Sequence, residues 1–234
     1  MPAYRNRLTC LAIGLLLLPL MPRTSHAATE TGNCHCFRNR TFNAADRFSS
    51  DEYLLTTTFN SLLAGEFDIS KRQIIMLKMG QGVANNLLVT ALYLAKETGK
   101  EVTQLLAMKK QQPWKVIISR LKTAKASPEL EKLFTFITPD VSDDQIAEYV
   151  TDLLIFNRFP SAQESLVLLR KKSLSSREII LVNTLADHTG TPALMIADLY
   201  QEKKLSWSEI VHNFGLEPAD VGKLLEPGKP AEEQ

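Results

Sequence analysis

Cysteine is scarce in this chain, with three in 234 residues. Cys10 falls in the N-terminal leader described below, which leaves Cys34 and Cys36. Two cysteines cannot make a disulfide framework, so the fold must rest on a hydrophobic core. Long apolar runs are missing too. The longest, Leu11–Leu20, is interrupted by Gly14 and Pro19 and is well short of the ~18–20 residues that span a bilayer. Nor does one sign of charge dominate. There are 27 basic and 26 acidic residues, a balance that gives little pull toward nucleic acid or anionic lipid. Sustained apolar–polar alternation of the kind that marks a half-buried strand is absent.

What is present begins with an address. Arg5 and Arg7 precede the short apolar run, and Ser25-His26-Ala27 places small residues at the −3 and −1 positions of a cleavage site. This is the pattern of a secretory signal over residues 1–27, and it predicts an exported protein, periplasmic or extracellular. Removing Arg5, Arg7 and Arg23 leaves 24 basic against 26 acidic residues. Hydrophobic residues at 44% and charged residues at 23% are the proportions of a globular chain.

The remainder reads as all-α. Residues 28–48 form an N-terminal segment in which Phe37, Phe42 and Phe48 are expected to pack onto the body. A first helical module covers 49–125. It opens at Ser50-Asp51-Glu52, has a stop at Gly65, a capping box at Ser70 and Gln73, a cap at Asn86, a stop at Gly99 and Pro113 at a further helix start. A linking helix is expected within 126–140. A second module, 141–225, opens at Ser142-Asp143-Asp144 and has capping boxes at Ser175/Glu178 and Ser206/Glu209. The tail 226–234 has nothing to bury and is expected to be disordered.

The two modules look like an internal duplication. Ser70–Val116 aligns without gaps on Ser175–Val221 at a spacing of 105 residues, and the openings at Ser50 and Ser142 match at 92. In that register Pro160–Lys172 is an extra segment of the second module.

Chemistry-bearing residues are few. Cys34-His35-Cys36 is the most suggestive group and leaves several readings open. The cysteines can close a tight local disulfide, which strain makes easily reduced. With His35 they can hold zinc or copper, the fourth ligand coming from His188, His212 or a carboxylate. They can act as a redox pair, or join another chain. His188, in Asp187-His188-Thr189-Gly190, sits where a helix ends and suits the dipole there. Haem attachment would need Cys-x-x-Cys-His, and Gly80-Gln81-Gly82 lacks the lysine of a phosphate loop. The lysines and arginines around Trp114, and Lys171-Lys172, read as solvated faces. No Ser, His and Asp arrangement has a nucleophile signature. An enzyme built from scattered carboxylates between the modules would leave no mark in one sequence.

Residues 206–221 carry Val211, Gly215 and Val221 at the spacings of the small residue, turn glycine and packing valine of a helix-turn-helix unit. The stretch resembles that family over about 20 residues. The resemblance implies tri-helical packing and DNA reading by the second helix. Glu217 and Asp220 would face phosphate there, and export separates the protein from DNA, so nucleic acid is not an expected partner. The expectation is an exported, noncatalytic helical binding or scaffold protein of the bacterial envelope, with an envelope protein as partner. The alternative is a metal- or thiol-dependent protein using Cys34, His35 and Cys36.

Overall fold

The computed structural model describes residues 39–121 and 127–226. The leader, Cys34-His35-Cys36 and the tail from 227 lie outside the described residues. Those described form α1 (Asp51–Phe67), α2 (Lys71–Gln81), α3 (Asn85–Thr98), α4 (Val102–Lys109), α5 (Trp114–Leu121), α6 (Pro128–Phe136), α7 (Asp143–Arg158), α8 (Gln163–Lys171), α9 (Ser176–Thr189), α10 (Ala193–Gln201), α11 (Trp207–Asn213) and α12 (Pro218–Val221). Short 3₁₀ turns at Pro160–Ala162 and Gly222–Leu225 complete them, and the class is all-α.

Local chemistry explains most helix starts. Ser70, Ser142, Ser175 and Ser206 each accept a hydrogen bond from the backbone N–H three residues on, and Gln73, Gln145, Glu178 and Glu209 close the boxes. Three expected signals act differently. Ser50 turns its hydroxyl away from α1 and donates to the Thr41 carbonyl at 2.8 Å. Gly65 does not stop α1, which runs on to Phe67 and ends at Asp68 in the left-handed region. Gly65 lies against the C-terminal 3₁₀ turn, where a Cβ would meet the Leu225 carbonyl at 3.4 Å, an ordinary contact. Ala84, not Asn86, precedes α3; Asn86 lies in its first turn and donates to Asp144 at 2.5 Å.

The core is one continuous cluster drawn from both modules, so 49–125 and 141–225 do not have separate interiors. The helices pair across it reciprocally. α1 packs most extensively on α9, and α7 on α3; α1 also meets α11, and α7 meets α5. These contacts set a register other than 105. α1, α2, α3, α4 and α5 correspond to α7, α8, α9, α10 and α11 at spacings of 92, 92, 91, 91 and 93. The segment Pro160–Lys172 is therefore not extra. Its α8 is the counterpart of α2.

Individual side chains follow this register. Buried Leu54, Leu62 and Leu63 of α1 match buried Ile146, Leu154 and Ile155 of α7. Trp114 and Trp207, both fully buried, open α5 and α11. The Trp114 backbone N–H donates to Asp143 of α7 at 2.9 Å, and the Trp207 backbone N–H to Asp51 of α1 at 3.1 Å. Each half thus caps a helix of the other with the first residue of its own long helix. A second reciprocal pair lies nearby: Arg177 of α9 donates to Glu52 of α1 at 2.5 Å, where the other side has Asn86 and Asp144. Within the halves, Lys78 of α2 donates to Asn60 of α1 at 3.1 Å, and Arg170 of α8 donates to Asp152 of α7 at 2.5 Å. Left-handed residues end α2 at Gly82 and α3 at Gly99, and their counterparts are Ser173 and Gly190.

Candidate functional site

The same correspondence produces two grooves. In the first half a groove of about 620 Å³ runs between α2, α3 and α4. In the second half a groove of about 530 Å³ runs between α8, α9 and α10. Their walls are equivalent positions: Met76 and Leu168, Gln73 and Ser165, Val102 and Ala193, Thr103 and Leu194. Exposed large hydrophobics gather at these grooves and on the helices beside them. Among the described residues they are Met76 and Met79 on α2, Val167 and Leu168 on α8, Met195 on α10, and Phe48 elsewhere.

Their chemistry has diverged. The first groove has Ile69 and Leu92 where the second has Ser161 and Asn183. At the rim, Arg72 in the first stands in the place of Glu164 in the second. Asp187 adds a further carboxylate to the second groove, and Glu101 lines the first. The first is an apolar trough with one cation and one carboxylate in its lining, and the second is a more polar, acidic one. Both are suited to holding a partner's side chains.

A third cleft, about 290 Å³, lies where α1 and α2 meet the C-terminal 3₁₀ turn. Arg40, Lys71 and Lys223 line it, but Lys71 is paired with Glu226 at 2.7 Å and Lys223 with Asp220 at 2.6 Å. The Arg40 guanidinium lies 5.6 Å from the centroid of the Tyr53 ring. The cations are thus already engaged.

The electrostatics elsewhere is structural. Asp51 accepts three bonds, from the Trp207 N–H and from the Ser208 N–H and hydroxyl at 2.8 and 2.6 Å. Burial pushes its carboxyl above the ordinary aspartate range despite these donors. Burial raises Asp152 as well, opposed by the Arg170 guanidinium. The backbone N–H of Ser206 holds Glu209 below the ordinary glutamate value, with help from Arg47.

The residues singled out in the sequence are scattered. Cys34, His35 and Cys36 are outside the described residues. His188 is exposed in the last turn of α9, near the helix end where a cation is favoured. No group of three or more His, Cys, Asp or Glu side chains arranged to hold a metal occurs among the described residues. His212 stacks on Phe42 with ring centroids 4.3 Å apart, which ties the segment before α1 to α11. Phe48 is exposed beneath the Arg47 guanidinium rather than packed inward, and Phe37 lies outside the described residues. Of the basic runs, Lys109 pairs with Asp143, Lys115 donates to the Pro139 carbonyl and Lys172 pairs with Asp198. Trp114 between them is fully buried, so it offers no stacking face to a base.

The stretch resembling a helix-turn-helix unit forms α11, a turn with Gly215 at φ +76°, and α12. Val211 and Val221 are buried in it. The second helix is only four residues long and packs on α1, with Pro218 and Val221 buried. No helix of the described residues is long and apolar enough to cross a membrane.

Sequence reasoning missed the grooves. Met76 and Leu168 share apolar periodicity with buried neighbours, and nothing in one sequence separates a rim methionine from a core one. No family model, functionally described protein or solved structure matches this chain.

Proposed function

We propose that this protein is an exported, noncatalytic α-helical scaffold of the bacterial envelope, built by duplication of a helical half and presenting one binding groove on each copy. The observation that supports binding is the pair of equivalent grooves, with exposed apolar side chains on their helices. A water-facing apolar surface costs solubility, so its recurrence at two equivalent places favours a use. The divergence of Arg72 from Glu164 favours two different ligands over one bound twice. Export rests on the leader pattern alone.

Photo-reactive side chains placed at position 76 or 168 of the full chain, in its native host, test the reading. A discrete adduct from at least one groove is expected, with none from an exposed control at Glu131. Adducts from neither groove sink it. Sequencing the N-terminus of the secreted form checks the address. A chain that begins after Ala27 is expected, and an uncleaved chain in the cytoplasm removes the envelope from the proposal.

A further inference from the structure

We infer that the groove of the first half is the docking site for an acidic amphipathic helix of a partner protein. This deepens the scaffold reading and rests on it. Three observations on α2 converge. The first is its apolar face. Met76 is 63% exposed and Met79 50% exposed. Ile69, Leu77, Leu92 and Val102 line the groove beside Met76. Methionine is flexible and polarisable, and it suits a surface that must repack around a ligand.

The second is charge. α2 carries Lys71, Arg72 and Lys78 and no acidic residue. Lys78 is buried beside Asn60 and Lys71 is bound to Glu226. Arg72 is exposed at the groove rim and makes no ion pair among the described residues. Its counterpart is Glu164, so the charge at this place is opposite in the two grooves. An acidic side chain beside Arg72 complements that cation, although Glu101 shares the first groove, and the second groove, with Glu164 and Asp187 and no cation in its lining, repels it.

The third is Gly80. Glycine inside a helix is less favourable than alanine. Here the backbone has no left-handed conformation to demand it, and a Cβ would meet nothing within 4 Å. Nothing among the described residues calls for the missing side chain. Arg72, Met76 and Gly80 succeed one another every four residues, forming one ridge of α2 along the groove. That line is about 12 Å long at 1.5 Å per residue, two turns of a partner helix. A helix lying there approaches the α2 backbone at Gly80, which a side chain would prevent.

Two fluorescent helical peptides of about 18 residues, long enough to keep helical structure, serve as probes for the full chain. Both carry leucines on one face; one is flanked by glutamates, the other by lysines. The acidic peptide is expected to bind at least roughly tenfold tighter than the basic one, about 1.4 kcal/mol. Arg72→Glu should reverse that order. Gly80→Leu should lower acidic-peptide affinity at least about tenfold while leaving the circular dichroism and thermal midpoint intact, since the site of the new side chain is open. Leu168→Asp, in the second groove, should leave this binding unchanged. Equal binding of the two peptides, no binding of either, or affinity indifferent to Gly80→Leu overturns the assignment. Uptake of a small apolar dye or of anionic vesicles without peptide binding overturns it too. In each case a photo-adduct at position 168 would leave the broader scaffold reading standing, whereas loss of adducts from both grooves removes that reading itself.

Discussion

Asp51 and Asp143 hold equivalent places but carry unequal loads. Asp51 accepts three hydrogen bonds from the first two residues of α11. Asp143 accepts one from the Trp114 N–H and pairs with Lys109 at 2.8 Å. Loss of a helix cap costs roughly 0.5–2 kcal/mol. Asp51→Ala should therefore lie near the top of that range, about 2 kcal/mol, and Asp143→Ala near about 1 kcal/mol. Urea unfolding midpoints measure both; equal losses would show that the extra donors to Asp51 carry no weight. The raised Asp51 carboxyl also predicts a pH dependence. A carboxyl whose folded value exceeds its unfolded one binds more protons when folded. Its contribution is thus fully present below the unfolded aspartate value, about 3.9, and is lost as pH rises through the folded value. Against Asp51→Asn, which does not titrate, the wild type should gain relative stability as pH falls from 7 to 4. Thermal midpoints of the two proteins across that window decide it, and a gap that moves the other way would mean the donors from Ser208 and Trp207 outweigh burial.

Among the elements, α1 is the one most constrained by its neighbours. Thr57 and Ser61 face the C-terminal 3₁₀ turn so closely that a Cβ on Gly222 would stand 2.9 Å from the Thr57 hydroxyl oxygen and 3.0 Å from that of Ser61. Gly222→Val should cost about 2 kcal/mol by forcing the turn off α1. Hydrogen exchange should then speed up in residues 218–226 more than in α7. Uniform acceleration, or none, would show that the turn adjusts at no cost. Helix existence was largely legible in the sequence, because capping boxes and left-handed glycines are local. The correspondence of the halves was not, for the same reason. The boxes at Ser70 and Ser175 open α2 and α9, which do not hold matching places in the packing, while Ala162 and Ala84 open α8 and α3, which match them there, without any side-chain cap. Matching cap to cap therefore pairs α2 with α9, one helix away from the pairing that the packing gives. Buried faces set the register of the packing, and they are visible only when Leu62 is seen to lie buried like Leu154, and Trp114 like Trp207. The grooves were hidden by the same step, since their equivalence exists only in that register.

For the whole molecule, the reciprocal contacts mean that neither half completes its own interior. α1 rests on α9 and caps α11, while α7 rests on α3 and caps α5. A chain cut between α6 and α7 separates each long helix from the surface that covers it. It leaves Leu54, Leu62 and Leu63, all buried in the intact protein, without part of their cover. Isolated helices of this length draw most of their stability from such packing. Fragments 39–140 and 141–226 should each show weak helical dichroism and no cooperative melting transition. Mixed at equal concentration, they should regain the helical signal and run as a one-to-one complex. The Arg177–Glu52 contact favours that unlike pairing over two like halves, which would set Asn86 against Glu52. Sedimentation and melting of the fragments, alone and mixed, read the outcome. If 39–140 alone melts cooperatively as a monomer, the halves are independent domains, and the grooves would lose the shared framework that relates them.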